Sequence, residues 1–453
     1  MAKPHSHPEV ITTPLLPKDQ YRPLENLRSQ LYFIIRQKLN EQLLKKSLDD
    51  LIRQHLPVLG ARLKPTGRSK ALEYHLPQPF PEKHLLFGWS SASVASSISE
   101  ITILNAPIRI GGAITWGKPM PELEKLWIPA NWPLERKHED SDCPLLLVHL
   151  KHYTDSTIVS TSLPHCVADQ MGYASVIEAW LGVVQGKLPT PFLQLDQNIF
   201  DTSSKFSDEI LRTKGQYRLK SFLERARVIL SHGVEVTWEQ EEERRLLFLS
   251  QEAISRLRNV YNRTALAELD PDSPKLTDND VITGILAKLR YLSLTKGTFV
   301  SLSGAINARG RHPALPAGQP FLHNALAYSN ARFRISPDTT AAEIAYQNRL
   351  AMNEAVKLEN IERCFAVHEG IFHGGYSPHI GEPGDTTYAV TNWTGTWRNI
   401  DFTVASPRHY DPDTSSMAMA STRMSQSSVV VLGVSMERSL TVLRCKCLRT
   451  NSR

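Results

Sequence analysis

The sequence predicts an α+β fold made of two similar lobes, each combining a mixed sheet with covering helices. The chain has 453 residues, which is enough for two or three domains at roughly 150 residues each. Strand-like and helix-like patterns occur in both halves, and a segment of different composition, from Gly186 to about Gln240, lies between them. A sheet with covering helices in each half corresponds to a two-lobed α+β protein.

The first half is predicted to contain a helix, a hairpin and a second helix. Leucines and isoleucines recur at helical spacing over 44–56, and a proline follows at once. Two β-rich runs, 145–153 and 157–163, are separated by a short polar turn, which predicts a hairpin. The apolar stripe over 168–184 is broad, so we expect a mostly buried helix with Trp180 in the core.

The second half repeats this arrangement with different lengths. Thr277–Asp280 resembles a capping box, with Asp in place of the usual Glu, and a strong apolar helical face follows it. A longer helix is predicted over 340–358. Five strands are predicted in this half, at 299–307, 386–393, 400–404, 427–436 and 440–448.

The segment between the halves is interpreted as a crossover. It carries polar turns, a predicted mixed-charge helix over 214–230 and a dense charge run over 239–245, which we interpret as a solvated face. We therefore predict an N-terminal lobe at 1–190, a crossover linker at 191–245 and a C-terminal lobe at 246–453.

Composition narrows the class of protein. Hydrophobic residues make up 41% of the chain and charged residues 22%, as in ordinary soluble globular proteins. The net charge of +6 is spread along the chain without a basic block, so we do not expect a nucleic-acid partner. No apolar run reaches about 18 residues and no signal peptide is evident, so we expect a cytoplasmic monomer without a membrane span.

The cysteines predict neither a disulfide framework nor a metal site. Their number is odd, and no His or Cys pair has metal-ligand spacing, which favours reduced thiols and no metal. We interpret Cys166 as a small packed residue and not as a nucleophile. The five cysteines are Cys143, Cys166, Cys364, Cys445 and Cys447.

His165 is the candidate general base. It comes directly after the β-rich run at 157–163, and Asp169 follows four residues later at the predicted helix start. The pattern His-x-x-x-Asp occurs three times, but the copies at His138 and His409 lie in a charge run and in a turn. Only His165 has a strand before it and a helix after it. An imidazole with a pKa near ~6.5 can accept and return a proton at neutral pH.

Four groups of residues follow one another in an order that is similar to the motif order of a known protein family. They are Leu44–Leu51 with Leu56–Leu63, His165–Asp169 with Trp180, Asn307–Arg311 with Pro313, His323 and Asn324, and Thr391–Trp393 with Asp401 and Phe402. Over nearly the whole chain this order resembles that of the BAHD-type acyltransferases, particularly the divergent fungal branch that modifies secondary metabolites. The chain departs from the family pattern at Gln170, where Gly is usual, and at Thr403, where the late Asp-Phe-Gly-Trp-Gly signature breaks off.

The resemblance implies two chloramphenicol-acetyltransferase-like lobes with an active-site tunnel between them and no permanently bound cofactor. Acyl-CoA, most simply acetyl-CoA, would enter as co-substrate from one face and a small-molecule acceptor from the other. The resemblance also implies that Asp169 pairs with Arg309 of the other lobe as a structural motif pair. It makes Asn392, Trp393 and Gly172 candidates for the oxyanion site or the tunnel.

Each of these residues also has a structural interpretation. Asp169 can serve only the free N–H groups at a helix start, and Arg309 can be a surface residue in a loop. Trp393 can be packed between sheet and helix with Asn392 in a strand ladder. Gly172 can only ease helix packing. The local pattern leaves these alternatives open.

The predicted function is an acyl-CoA-dependent O-acyltransferase, most simply an O-acetyltransferase, that modifies a hydroxyl of a lipophilic secondary metabolite such as a terpenoid, polyketide or alkaloid. An amine acceptor stays open. Two alternatives share the fold. A condensation-type amide-forming enzyme usually has a second histidine where Pro164 stands. A non-catalytic small-molecule-binding protein would be expected to have a damaged His165 motif.

Overall fold

The computed structural model shows an α+β protein with four sheets among the residues it describes. Within these residues, no helix has the length and apolar character needed to cross a membrane. The described residues are 9–67, 71–100, 114–119, 125–194, 200, 205–238, 245–249, 251–268, 274–292, 294–379, 381–393, 395–397, 399–407 and 429–430.

Two sheets are built from the first part of the chain. Its strands are β1 (Glu9–Pro14), β2 (Arg28–Ile35), β3 (Arg62–Thr66), β4 (Ala71–Gln78), β5 (Gly88–Ser93), β6 (Ile114–Pro119), β7 (Leu147–His152) and β8 (Thr157–Pro164). One sheet is antiparallel, with β4 between β1 and β3. The other has the order β2-β8-β7-β5 and is antiparallel except between β7 and β5. The predicted hairpin is confirmed as β7 and β8, and β8 is buried along its whole length.

Two helices pack together in the core of this part, α1 (Glu41–Gln54) and α2 (Gln170–Val184). Asn40 caps α1 and Asp169 caps α2, each through a side-chain oxygen that accepts a backbone N–H of the first turn. Trp180 is fully buried, and its Nε1 atom donates to the carbonyl oxygen of Leu44 at 2.9 Å. The predicted burial of Trp180 is therefore confirmed.

The second part of the chain forms a smaller sheet covered by helices. Strand β10 pairs antiparallel with β11 and parallel with β12, and α7 packs on both α6 and β11. The capping box at Thr277–Asp280 is confirmed and begins α6. The elements are α3 (Asp208–Thr213), α4 (Phe222–Trp238), β9 (Arg245–Leu249), α5 (Gln251–Glu268), α6 (Asp278–Arg290), β10 (Thr298–Asn307), β11 (Leu326–Ile335), α7 (Ala341–Ala355), α8 (Leu358–Gly374), β12 (Thr386–Val390) and β13 (Val429–Val430).

The two parts share one sheet, and each buries side chains in the core of the other. Strand β6 of the first part pairs with β9, and β9 pairs with β13, so one sheet contains strands from both sides of the crossover. Leu322 and Phe402 are buried in the hydrophobic core of the first part. Tyr21 and Leu24 are buried in the core of the second part. Burial of these apolar side chains in the opposite core binds the two parts to each other.

Three predicted elements differ in the structure. The strand expected over 400–404 is a 3₁₀ helix, Phe402–Ala405, because Asp401 accepts the N–H of Thr403 and caps it. The helix expected over 214–230 begins only at Phe222, since Gly215 adopts a φ of 85° and turns the chain. The helix expected over 340–358 ends at Ala355, and α8 starts a second helix after it.

Other predicted elements are confirmed or lie beyond the described residues. The helix of 44–56 and the strand of 299–307 are present as α1 and β10. Of the strands expected over 427–436 and 440–448, only Val429–Val430 falls within the described residues. Most of the charge run expected over 239–245 also lies outside them.

Candidate active site

His165 stands at the end of a buried strand, where the chain turns into α2. Its backbone N–H donates to the carbonyl oxygen of Leu27 at 2.8 Å, which continues the pairing of β2 with β8 by one residue. From Ser156 to Gln170, His165 is the one residue that is not fully buried. The residue therefore lies deep in the fold but is partly exposed, and a base that meets a substrate requires such access.

The protonation of His165 follows from this environment. Burial lowers the pKa of the imidazole, although its own backbone, Asp169 and Asn324 each raise it in part. Its Nδ1 atom is enclosed and has no hydrogen-bond partner among the described residues. A lowered pKa keeps the imidazole neutral at pH 7, which is the state that accepts a proton.

Asp169 uses its two carboxylate oxygens for two different tasks. Its Oδ1 atom accepts the N–H of Gly172 at 2.8 Å and caps α2. Its Oδ2 atom accepts Nη1 of Arg309 at 2.9 Å and the N–H of Ala325 at 2.8 Å. Burial alone would raise the pKa of Asp169, but Arg309 and these N–H groups hold it below its ordinary value. Asp169 therefore does both: it pairs with Arg309 and it caps α2.

Arg309 ties the loop after β10 to this carboxylate. Its Nη2 atom donates to the carbonyl oxygens of Phe321 at 3.0 Å and His323 at 2.6 Å, and Nη1 also reaches Oδ1 of Asn307 at 3.1 Å. The planar guanidinium thus holds three chain segments in fixed relation. Its side chain is 9% exposed, so the pair lies in the interior of the protein.

Gly172 lies where two backbones meet. A Cβ atom at this position would stand 1.9 Å from the carbonyl oxygen of Leu322 and 2.7 Å from its carbonyl carbon. The close approach at Gly172 is therefore made by protein backbone of the second part, packed against the first turn of α2. Any side chain here would separate the two parts of the site.

Asn392 and Trp393 have hydrogen-bond partners other than His165. Asn392 is exposed, and its Nδ2 atom donates to Oδ1 of Asn279 at 2.8 Å. Trp393 is half-buried, and its Nε1 atom donates to Oγ1 of Thr391 at 2.8 Å. Arg309 and Asp169 thus lie together beside His165, whereas the polar atoms of Asn392 and Trp393 point to other partners.

Among the described residues, the remaining candidates are an exposed histidine and a buried, inert cysteine. His138 is exposed at the end of a short 3₁₀ helix, Arg136–His138, within the charge run that the sequence indicated. Cys166 is completely buried, and burial raises the pKa of its thiol to about 12, so it is not a thiolate nucleophile at neutral pH. Cys143, Cys166 and Cys364 are free thiols. His409 lies outside the described residues.

Sequence reasoning missed a buried charged pair close to His165. Lys18 is 6% exposed and Asp19 is fully buried, and the Nζ atom lies 3.0 Å from both carboxylate oxygens. Asp19 also accepts the amide of Asn324. The available signal was a charged pair set between apolar residues, Leu15, Leu16 and Tyr21, where a solvated turn would be the ordinary interpretation.

Comparison with known proteins gives relatives of two kinds. No family model matches the chain. The chain is 25% identical over 417 residues to the transcriptional regulator calD of Penicillium decumbens, covering 89% of this chain and 83% of calD. It is 24% identical over 368 residues to the acetyltransferase adrJ of Penicillium rubens, covering 74% of this chain and 70% of adrJ.

Solved structures define the fold. The structure of F. graminearum TRI101 complexed with coenzyme A and T-2 mycotoxin superimposes with a TM-score of 0.62 at 13% identity, covering 88% of each chain. The fold is that of the BAHD-type acyltransferases, two chloramphenicol-acetyltransferase-like lobes, as the resemblance predicted. By sequence the chain is similar to fungal proteins named acetyltransferases, such as adrJ.

Proposed function

We propose that this protein is an acyl-CoA-dependent O-acyltransferase, most simply an O-acetyltransferase, acting on a hydroxyl of a lipophilic secondary metabolite such as a terpenoid, polyketide or alkaloid. The observation that carries the proposal is the partly exposed His165, with a lowered pKa, at the end of an otherwise buried strand and turn. The name of adrJ and the coenzyme A bound to TRI101 support the acyl donor.

In the proposed reaction one imidazole carries one proton between two substrates. In this proposal Nε2 of His165 takes the proton of the acceptor O–H while the oxygen attacks the thioester carbonyl carbon. The C–S bond of the tetrahedral intermediate then breaks, and the imidazolium returns the proton to the departing sulfur. The products are the ester and free CoA, and no covalent acyl-enzyme is needed. General-base assistance supplies a factor of roughly 10²–10⁴, and positioning of both substrates supplies much of the rest.

The other sequence candidates take supporting roles in this proposal. Asp169 and Arg309 hold the turn that carries His165 and do not touch the reacting atoms. Asn392 and Trp393 are the proposed donors to the oxyanion, lining a tunnel between the lobes. Each would exchange its present partner, Asn279 or Thr391, for the negatively charged oxygen. Gly172 supports the site by close backbone packing.

The name of calD favours a second candidate function. A relative called a transcriptional regulator raises a non-catalytic role in which the fold binds a small molecule without turning it over. Such a protein would bind acetyl-CoA or an acceptor with no release of CoA in the presence of both. A partly exposed His165 with a lowered pKa has no evident use in that role, so the acyltransferase is the leading proposal.

The test is CoA release from acetyl-CoA in the presence of a panel of hydroxylated terpenoids, polyketides and alkaloids. We expect the parent to release CoA with at least one acceptor and the variant His165→Ala to lose a factor of roughly 10²–10⁴. His138→Ala is the matched control, since it removes an exposed histidine from the same His-x-x-x-Asp pattern. A His165→Ala variant that retains activity within about tenfold of the parent would contradict the assignment of the base.

A further inference from the structure

The buried polar group behind His165 has no part in the proton transfer proposed above. It consists of Lys18 and Asp19 from the 3₁₀ turn near the N-terminus and Asn324 from the loop before β11. All three are at least nine-tenths buried. A buried ion pair adds little net stability compared with apolar residues of the same shape, so its presence calls for another explanation.

The hydrogen bonds in this group connect the Lys18–Asp19 pair to His165 through Asn324. The Oδ1 atom of Asp19 accepts Nδ2 of Asn324 at 2.8 Å and its backbone N–H at 3.1 Å. The same Nδ2 atom of Asn324 donates to the carbonyl oxygen of His165 at 2.9 Å. Lys18 donates to Asp19 and also to the carbonyl oxygen of Asn324.

The chemistry of Asp19 determines which way the amide of Asn324 points. A carboxylate only accepts hydrogen bonds, so the NH₂ group of Asn324 must face it, and the amide oxygen cannot take that place. Both hydrogens of the NH₂ group are then used, one on Asp19 and one on His165. The same Oδ1 atom of Asp19 accepts the backbone N–H of Asn324, so it is an acceptor, and Lys18 at 3.0 Å favours the ionised form of the carboxylate. Burial raises the pKa of Asp19 and lowers that of Lys18, and their contact opposes both shifts.

The bond from Asn324 completes a clamp on the backbone of His165. The peptide before His165 is held because its N–H donates to Leu27 at 2.8 Å. The peptide after it is held because its carbonyl oxygen accepts from Asn324. With both peptide planes held, φ and ψ of His165 are fixed, and the rotamers open to the ring depend on φ and ψ. Leu27 comes from the first part of the chain and Asn324 from the second.

We infer that Asn324 is a positioning residue for His165 and that Lys18 and Asp19 serve to orient its amide. The inference rests on the proposed function, because it assumes that the orientation of the His165 ring affects the rate of turnover. It assigns the buried pair a role separate from the Asp169–Arg309 contact. That contact holds the helix start and the loop after β10, whereas Asn324 acts on the peptide of His165 itself.

The first test compares two buried asparagines. Asn324→Ala is expected to lower kcat by roughly tenfold to a hundredfold, with KM for acetyl-CoA and for the acceptor unchanged within about twofold. Asn348→Ala is the matched control: Asn348 is 3% exposed and donates to the buried carboxylate of Asp280 at 2.8 Å, beside Arg349, within the second part. The control is expected to lose thermal stability and keep kcat.

A second variant removes the charges without leaving either one alone. Lys18→Met combined with Asp19→Asn keeps the shape of the pair, so it is expected to fold, yet Asn at position 19 no longer dictates the orientation of Asn324. We expect kcat to fall as in Asn324→Ala. A folded double variant and a folded Asn324→Ala that both keep the parent kcat would overturn the inference.

A spectroscopic readout separates this inference from the proposed function. Histidine labelled with ¹³C at Cε1 gives a ring signal for His165, assigned by its loss in His165→Ala. In Asn324→Ala we expect this signal to shift or broaden, whereas in Asn348→Ala it should stay in place. An inactive parent with this pattern would overturn the acyltransferase but keep the clamp. If the parent is active and Asn324→Ala changes neither the His165 signal nor kcat, the clamp alone is overturned.

Discussion

The Oδ2 atom of Asp169 lies 2.9 Å from Nη1 of Arg309, a contact between residues 140 positions apart in the sequence. Asp169 caps the helix that follows the candidate base, and Arg309 begins the loop after β10. The same Oδ2 atom also accepts the N–H of Ala325, where β11 begins. One carboxylate therefore fixes the start of α2 against two segments of the other part of the chain.

Asp169→Asn is expected to lower the free energy of unfolding by about 3–5 kcal/mol, because it leaves Arg309 buried without its counter-charge. Thermal unfolding of the parent and the variant measures the effect. Asp50→Asn is the control, since Asp50 pairs with Lys46 on the exposed face of α1, where such a pair contributes only a few tenths of a kcal/mol. Equal melting curves for Asp169→Asn and the parent would show that the pair contributes nothing to stability.

Gly172→Ala and Gly182→Ala are expected to act in opposite directions, although both replace a glycine of α2. The Cβ atom of Gly172→Ala would meet the carbonyl oxygen of Leu322 at 1.9 Å, so backbone must move and stability must fall. No atom lies within 4 Å of a Cβ at Gly182, where Ala should stabilise the helix by up to about 1 kcal/mol. The melting temperatures of the two variants, compared with that of the parent, measure both changes in stability. A neutral Gly172→Ala would mean that Leu322 does not lie against α2.

The pH dependence of kcat/KM should report the lowered pKa of His165. The base is active when neutral, so the rate should be constant at neutral pH and fall as the pH drops through the pKa of the free enzyme. Since burial lowers that pKa, the midpoint is expected below the ordinary histidine value of about 6.5. Initial rates between pH 4.5 and 8 measure it, within the range where the protein stays folded. A midpoint above about 6.5 would contradict the buried environment of the ring.

His368→Phe should make the protein less sensitive to acid. His368 is buried and stacks on Tyr21 with ring centroids 4.9 Å apart, and burial lowers its pKa to about 3. The unfolded chain binds this proton near pH ~6.5 and the folded chain does not, so the stability contribution is complete above about pH 6.5 and is lost as the pH falls towards 3. Phe keeps an aromatic ring stacked on Tyr21 and has no group that binds a proton.

The measurement for His368→Phe is the melting temperature between pH 7 and pH 4.5. The parent should lose stability more steeply than the variant, by up to about 1.4 kcal/mol per pH unit for one proton. His138→Phe serves as the control, because His138 is exposed. Parallel curves for the parent and His368→Phe would mean that His368 titrates normally in the folded protein.

Local patterns were sufficient for much of the fold. The hairpin of β7 and β8, the helix α1, the buried Trp180 and the capping box at Thr277–Asp280 each depend on residues that are near neighbours in sequence. Contacts between near neighbours in sequence can be predicted from the periodicity of apolar residues and from capping residues. At 400–404 the local strand signal failed, and both a tertiary contact and a local cap oppose a strand there. The segment 400–404 reads as a strand, but Phe402 enters the core of the first part and Asp401 caps a 3₁₀ turn.

By itself the sequence predicted the two-lobed α+β fold and singled out His165 as the candidate base, because His165 has a strand before it and a helix after it along the chain. Only the tertiary structure decided what holds that residue. Asp19, Arg309, Leu322 and Asn324 reach the His165 turn from segments that are distant in sequence. The only local signal for the burial of Lys18 and Asp19 is the apolar residues around them, and it is weak because a charged pair in a short turn is ordinarily solvated. The cost of removing those charges from water is offset only when the chain has folded around them.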